Sequence, residues 1–423
     1  MAGARGDKLI TAIDIGSWKV SALIASKAEN GALTVLGTGQ RESRGVRRGF
    51  VVDMERTEQA VRETIEQAEK VAGTNIESVQ ISFSGGSLES RVEPVEIPIE
   101  GRRIEQPDME ALLDRARDRI DPNGRVVLHA EPTLYTIDGM RGVQRPTGLH
   151  ADVLGVDVHV VLADGAPLRN LETSVRGAYL NVDSIIAAPV ATAMACLSEE
   201  ERDLGVALVE LGGGVTNVSL HIGGMLVGLR SIPIGAADIT DDIASAFGLR
   251  RSQAERMKCF YGSAMQSRRD FRETIDIVPA AGPAVQASDG RKVNRAELVG
   301  VICERLGRLM KEIAAALDEM GFHSPVGRQV VLVGGGAELK SIADYAQTAL
   351  GRAVRIGKPR GLGALPEAHG GPAFATLVGL ALHGASDRND LLNRPAPAMK
   401  VHKMRGAVGA GFSRLVNALR AGY

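Results

Sequence analysis

Two short glycine turns carry the residues best suited to chemistry. They are Ala12-Ile13-Asp14-Ile15-Gly16-Ser17 and Leu208-Val209-Glu210-Leu211-Gly212-Gly213-Gly214. Each has the order apolar strand, acid, apolar residue, glycine, a small or hydroxyl residue (Ser17, Thr216), then a second strand. Glycine reaches positive φ and carries no side chain, so such a turn can lay bare backbone N–H groups against a phosphate. The carboxylates of Asp14 and Glu210 then fall where a phosphate-bound Mg²⁺ or its waters need oxygen ligands. A third turn, Val330-Val331-Leu332-Val333-Gly334-Gly335-Gly336-Ala337, follows another apolar strand and leads toward a helix, as a clamp on a nucleoside would. The set predicts one nucleotide held between two related halves. No segment has the Walker spacing ending in Gly-Lys-Ser/Thr, and no glycine fingerprint opens a helix in the manner of a dinucleotide site.

The elements that must position these turns repeat in the two halves. Leu9 to Ile15 and Lys19 to Ala25 read as strands flanking the first turn. Asp53 can cap a helix to Ala72 that buries Val61, Ile65, Ala68 and Val71, and Gly73 ends it. Val79 to Phe83 alternates as a half-buried strand and closes on Ser84-Gly85-Gly86. From Ser87 to Leu162, three β-like runs (Val92 to Ile99, Val126 to His129, Val153 to Val161) surround a charged helix from Pro107 to Ile120. Turn signals lie at Asp121-Pro122-Asn123-Gly124 and Asp138-Gly139, so this stretch reads as a compact inserted α+β module. The strand-helix pattern resumes over Leu168 to Leu197, with Pro189 in the first turn of its helix. In the second half Gly205 to Leu211 and Val215 to Ile222 flank the second turn, and Asp238 to Phe247 reads as a helix. Asn294 can cap a long helix with Leu298, Ile302, Leu306, Leu309, Ile313 and Leu317 on its buried face. Two such halves imply a cleft between them, where ligand sites are favoured.

Composition narrows the class. The chain has 423 residues, enough for two or three domain-sized units, and 44% hydrophobic residues supply real cores. A net charge of −1 argues against a general nucleic-acid binder. Cys196, Cys259 and Cys303 are scattered and form no CxxC, which supports neither a disulfide framework nor a zinc site and suggests a reducing compartment. The charged start Met1 to Lys8 leaves no room for a signal peptide, and Ser184 to Ser198, interrupted by Pro189, is short of the ~20 apolar residues of a membrane span.

Further stretches carry a resemblance. Gly45-Val46-Arg47-Arg48-Gly49, Ser82-Phe83-Ser84-Gly85-Gly86, Asp157-Val158-His159-Val160-Val161 and Ser231-Ile232-Pro233-Ile234-Gly235, together with the three turns, resemble the actin/Hsp70/sugar-kinase ATPase superfamily. Within it they are most similar to the family of the bacterial cell-division protein FtsA, over roughly 8–385. The resemblance implies an α/β fold, a two-lobed actin-like ATPase core with an inserted 1C-type α+β subdomain and a C-terminal amphipathic helix. Its subdomains would be 1A at 1–83 and 163–203 (with 372–384), 1C at 84–162, 2A at 204–237 and 326–371, and 2B at 238–325. It implies ATP and Mg as cofactors. Asp14, Gly16, Ser17, Trp18 and Lys19 would form the first phosphate loop, and Glu210, Gly212, Gly213, Gly214, Val215, Thr216 and Asn217 the second. Asp14 and Glu210 would face the metal through water or phosphate. Glu255 and Lys258 would contact ribose and base, although their i, i+3 spacing also suits a plain surface ion pair. Gly334, Gly335 and Gly336 would form the adenosine turn.

The family role implied is that of an ATP-binding scaffold, not primarily an enzyme, that polymerises and tethers filaments of the tubulin-like FtsZ to the cytoplasmic side of the inner membrane at the septum. It also recruits later division proteins. The FtsZ C-terminal peptide, acidic and apolar, would dock on 238–325, where Arg305 and Arg308 lie off the buried face of the long helix; solvated arginines are the alternative. Glu210 and Asn217 stand where the family usually has aspartates, so slow hydrolysis is expected. A kinase of the same superfamily is the rival, with His129, His150 and His159 as the nearest candidate bases, and a type IV pilus assembly ATPase-like scaffold is another.

The tail reads as a membrane handle. After Asp390 there is no acid, and Gly384 to Ala407 contains Pro395 and Pro397 without apolar period, as a flexible basic linker (385–407) would. Over 408–423, Val408, Phe412, Leu415, Val416, Leu419 and Tyr423 share one arc at helical pitch, while Arg414, Asn417 and Arg420 lie outside it. This predicts an interfacial helix on anionic lipid, against the alternative of a helix packed on the protein's own body.

Overall fold

The computed structural model describes residues 8–85, 87–277, 291–323, 329–386 and 390–393. The chain divides into a unit ending at Leu392 and a second from Asn393 onward, and the architecture below is that of the first.

The chain opens with a meander of three antiparallel strands, β1 (Lys8–Ile15), β2 (Lys19–Lys27) and β3 (Leu33–Glu42), followed by the short pair β4 (Val46–Arg47) and β5 (Phe50–Val51). Helix α1 (Met54–Ala72) starts where Asp53 accepts the Arg56 N–H at 3.1 Å and stops at Gly73, whose φ of 69° is the left-handed cap only glycine adopts cheaply. Val61, Ile65 and Ala68 are buried as expected, but Val71 is 63% exposed, because Ala72 takes the inward place in the final turn, against Gly37 of β3. Strand β6 (Ser78–Phe83) then lies parallel to β1. With Val79, Ile81, Ser82 and Phe83 all buried, it is more enclosed than the half-buried strand its alternation suggests.

The insert comprises β7 (Glu89–Pro98), α2 (Gln106–Arg119), β8 (Val126–Ile137), β9 (Met140–Val143) and β10 (Val153–Ala163). The expected turn at Asp138-Gly139 joins β8 to β9, both residues at positive φ. After it come α3 (Gly165–Gly177), β11 (Asn181–Ala187), α4 (Ala188–Cys196, with Pro189 in its first turn) and α5 (Glu199–Leu204).

The second half begins with another antiparallel meander, β12 (Val206–Leu211), β13 (Thr216–Ile222) and β14 (Met225–Ile232). Helices α6 (Ala236–Phe247) and α7 (Arg251–Tyr261), strands β15 (Thr274–Ile277) and β16 (Arg291–Asn294), and the long α8 (Arg295–Glu319) follow. Asn294 caps α8 through the Ala296 N–H, and the six apolar residues expected on its inner face are all buried. The unit closes with β17 (Gln329–Val333), α9 (Ile342–Leu350), β18 (Val354–Ile356) and α10 (Ala375–Ala385).

The halves share one plan. The first sheet has the order β11-β6-β1-β2-β3, and the second runs β18-β17-β12-β13-β14 before continuing outward. In each, the strand carrying the acid (β1, β12) has a meander on one side and two parallel strands on the other. Between the sheets, α4 and α10 cross so closely that a Cβ on Gly379 would lie 2.0 Å from the Ala191 carbonyl oxygen. Their apolar faces pack against Leu208 and Val331 and so join the two halves.

Two features differ from the sequence reading. The insert is not self-contained: β7, β10, β8 and β9 extend the second sheet beyond β14, through the pairing of Arg230 with Glu89. The stretch expected as linker also begins inside structure. Ala385 ends α10, Asp390 accepts the Ala130 N–H at 3.2 Å, and Leu391 is fully buried in the insert's core. An apolar period cannot reveal one leucine that fits a distant pocket. The expected helix over 408–423 and the remainder of the linker lie outside the described residues.

Candidate functional site

Each acid-bearing strand ends in the same closure. The Gly16 N–H donates to the Lys19 carbonyl at 3.0 Å, and the Gly212 N–H to the Val215 carbonyl at 3.0 Å. A Cβ on Gly16 would sit 3.1 Å from that acceptor, and one on Gly212 only 2.6 Å from its own. None of Gly16, Gly212, Gly213 and Gly214 is at positive φ, contrary to the conformational half of the sequence argument. What these glycines supply is the missing side chain. Only Gly334 of the third turn is left-handed, at φ 84°. That turn passes first through a short 3₁₀ segment, Gly335–Glu338, and reaches α9 only at Ile342.

The three turns converge. Added Cβ atoms would lie 3.1 Å from the Trp18 Cβ at Gly213, 3.0 Å from Ser17 Oγ at Gly214, and 2.6 Å from the Leu211 carbonyl oxygen at Gly334. Ser17 Oγ accepts the Gly49 N–H at 3.0 Å, tying the first turn to the β4–β5 loop. The second turn is tied to α6, whose Ala236 and Ala237 N–H groups donate to the Gly212 and Gly213 carbonyls at 2.9 and 2.8 Å. Arg48 reaches Asp238 at 3.1 Å and so links the β4–β5 loop to α6. Gly335 has no heavy atom within 4 Å of an added Cβ and faces open space.

Both acids lie in a polar network. Asp14 Oδ1 accepts from Ser82 Oγ at 2.6 Å. Glu210, 6% exposed, accepts from Thr192 and, at 3.1 Å each, from Thr376 Oγ1 and Asn217 Nδ2. Asn217 in turn donates to Ser84 Oγ at 2.8 Å and accepts from Ser231 at 2.8 Å. Burial raises both carboxyl groups above the usual carboxylate range while their hydroxyl and amide partners pull them down, and the charge of Asp14 raises Glu210 further. Asn217 places a neutral donor beside Glu210, where an acid would face it at hydrogen-bond distance.

Lys19 is pushed down to about 8 by burial, against the pull of Asp14 and Glu338, and its ammonium lies 3.1 Å from the centroid of the Phe374 ring. His369 packs on the same ring at 4.5 Å, lowered by burial and by Lys19. Across the site, Glu255 and Lys258 pair at 2.7 Å with both side chains largely covered. Lys258 also donates to the Ala236 carbonyl at 3.1 Å and Thr240 Oγ1 at 2.8 Å, and stands 5.9 Å from the Trp18 ring. The pair thus belongs to the region of the turns rather than to an outer surface. Val215 and Thr216 are buried in the second hairpin, Thr216 Oγ1 donating to the Ile234 carbonyl at 2.7 Å.

Sequence reasoning missed Thr192, Thr376, Phe374 and His369, which no motif surrounds. Ser82 and Ser231 lay within quoted stretches, but nothing indicated their partners. The arginines expected at a docking surface differ from each other. Arg305 is committed to Asp242 of α6 by two 2.6 Å bonds and is only 20% exposed, whereas Arg308 is exposed and pairs with Glu304 one turn away. The candidate bases His129 and His159 are buried in the insert, and His150 is exposed. None of them contacts the two acids.

The chain matches known proteins. The pattern described as cell division protein FtsA matches residues 207–379, and the SHS2 domain inserted in FtsA matches 85–162, the span of the insert. The cell division protein FtsA of Rhizobium meliloti is 34% identical over 385 residues, covering 89% of this chain and 87% of that protein. That of Escherichia coli is 31% identical over 427 residues, covering 99% of each. The chain belongs to the FtsA family. It is a cell-division protein with an actin-like α/β fold carrying an SHS2 insert. Solved structures agree on the fold. A PilM-PilN type IV pilus biogenesis complex aligns with TM-score 0.62 at 20% identity, covering 89% of this chain and 98% of that one. MreB5 of Spiroplasma citri bound to ADP aligns with TM-score 0.52 at 13% identity, covering 89% and 95%. Among the described residues, no helix is long and apolar enough to cross a membrane.

Proposed function

We propose that the chain binds Mg·ATP between its two hairpin turns, assembles into filaments, and tethers FtsZ filaments to the inner membrane through its C-terminal tail while recruiting later division proteins. The observation that carries the nucleotide part is the convergence of two closed acid-glycine hairpins with the Gly334 turn and the Glu255–Lys258 pair. Gly16, Ser17, Gly213 and Gly214 would receive the phosphates, Lys19 would supply a cation, and the open face of Gly335 would receive the adenosine. Magnesium fits this chemistry. Among the described residues no cluster of three metal-binding side chains exists, so a cation here would be held chiefly by phosphates, as Mg²⁺ usually is. Two buried carboxyl groups with raised affinity for protons would be relieved by it. Asp14 has one oxygen outside its bond to Ser82, whereas both Glu210 oxygens already accept donors, so Asp14 would serve the metal more directly. Turnover would be slow, because Glu210 is held by three side chains and Asn217 carries no charge.

Subdomain 2B, at 238–325, would be the FtsZ-facing part. Arg308 is the better placed of the two arginines for an acidic peptide, since its pair with Glu304 is exposed, whereas Arg305 is half-buried in a two-bond pair with Asp242. The tail would act as a weak interfacial anchor on anionic lipid, Phe412, Leu415, Val416 and Leu419 entering the membrane and Arg414 and Arg420 meeting headgroups, with assembly multiplying its effect. The deciding experiment is co-sedimentation of FtsZ with liposomes. FtsZ should pellet only when this protein and ATP are both present, and FtsZ remaining soluble under those conditions refutes the tether.

A further inference from the structure

A cavity of about 70 Å³ lies away from the turns, where β8 and β10 of the insert, α4, α5 and the β13–β14 hairpin meet. Its lining includes three histidines, His129, His159 and His221, each only 3% exposed, together with Glu131, Thr133 and Arg202. Several of these groups are already committed. The His129 ring accepts the Ala187 N–H at Nε2 over 3.0 Å and turns Nδ1 toward Asp390 at 3.6 Å. Thr133 donates to the Asp157 carbonyl at 2.7 Å, and His221 Nε2 lies 3.3 Å from Ser219 Oγ. Two are not. His159 Nε2 and Arg202 Nε are both buried without a hydrogen-bond partner. Buried polar groups are normally satisfied, and two orphans from different elements that line one cavity call for a ligand there.

We propose that this cavity is a binding site for a small protonated oxyanion, inorganic hydrogen phosphate being the type, held by Arg202 and His159. The guanidinium supplies the positive charge and a charge-assisted N–H. Burial holds the His159 imidazole neutral, down at about 4, so that it serves as a plain N–H donor. Glu131 on the same wall selects for an anion that retains an O–H, which sulfate lacks. The volume admits several waters or one such ion, but not a nucleotide or a lipid headgroup with its glycerol. Because the walls come from the insert, the first half and the second-half hairpin, the ion would bridge three parts of the fold. It would do so without touching the nucleotide turns.

The test uses the full chain labelled with ¹⁵N-histidine, the His159 ring signal being assigned by its loss in His159→Gln. Inorganic phosphate should move that signal saturably, sulfate should be at least tenfold weaker, and glycerol phosphate should leave it in place. Arg202→Met, at a partly exposed position, should keep the thermal midpoint in phosphate-free buffer and abolish the response. No saturable movement overturns the site in favour of a water-filled void. An equal response to sulfate or glycerol phosphate overturns the choice of ion, and a response retained in Arg202→Met overturns the assigned donors.

Discussion

Changing Asn217 to aspartate tests the coupling between Glu210 and Asn217 in the second hairpin. Asn217 Nδ2 donates to Glu210 Oε2 over 3.1 Å, and both side chains are buried. The substitution removes a hydrogen bond to a charged group, worth about 1.5–3 kcal/mol. It also places two carboxylates in contact, which at an effective dielectric constant near 20 costs roughly 5 kcal/mol. Proton uptake limits the damage. Protonating one carboxyl at pH 7, from an unfolded value near 4.3, costs about 1.36 kcal/mol per unit, or roughly 4 kcal/mol, and the new O–H can replace the lost donor. The pair should therefore take the proton, and the deficit should be about 4 kcal/mol at pH 7 and about 1 kcal/mol at pH 5. The sign follows from linkage: a carboxyl raised in the folded state favours folding below its unfolded pKa and loses that advantage as pH rises through the folded pKa. Thermal unfolding of Asn217→Asp beside the parent, in chelator at pH 5, 7 and 8, measures this directly. A deficit that does not grow with pH, or no deficit at all, refutes the Asn217–Glu210 pairing. Mg·ATP should narrow the gap by neutralising the acids.

The parent should show the same sign in weaker form: with Asp14 and Glu210 both raised, stability without divalent cation should fall as pH rises above the carboxylate range, and a midpoint rising over that range would contradict their burial. Trp18, the single tryptophan, should change fluorescence with Mg·ATP. Gly213→Asp, whose Cβ would press within 3.1 Å of the Trp18 Cβ, should abolish that response; an unchanged response would remove the second turn from the site. Arg305→Glu should destabilise the α6–α8 contact by about 2–4 kcal/mol through the charge left on Asp242, with Asp242→Arg restoring part of it. Arg308→Glu should spare stability and weaken FtsZ-peptide binding in fluorescence anisotropy, and unchanged affinity would exclude it from the docking surface. Deleting 408–423 should leave the unfolding midpoint in place and move the protein from liposome pellet to supernatant. Leu415→Glu should do so at any salt and Arg414→Ala chiefly on anionic lipid at low ionic strength; continued sedimentation of the truncated chain would refute the anchor.

Much of the fold was legible because it depends on neighbours in sequence. The cap at Asp53, the stop at Gly73, the Asp138-Gly139 turn and the inner face of α8 all follow from steric preference and period over a few residues, and the structure has each of them. Val71 fits the same period yet is exposed, since period leaves two neighbours eligible for the inward place in the last turn and packing on Gly37 gives it to Ala72. The insert was legible as a module. Its continuation of the second sheet was not, because a single strand pairing between Glu89 and Arg230 leaves no local mark.

For the site, the sequence by itself determined the acids and glycines of three turns and the order in which they occur, because a close backbone approach needs a residue without a side chain wherever it lies. Only the tertiary structure decided what surrounds them. It brings Thr192 and Thr376 to Glu210, Ser82 to Asp14, and Phe374 to Lys19, and it takes Arg305 out of the free surface by giving it Asp242. It also decided that the hairpin glycines serve by absence of bulk and not by positive φ. The partners come from helices and strands far apart in the chain, and their hydrogen-bond geometry exists only once the two sheets have closed on α4 and α10.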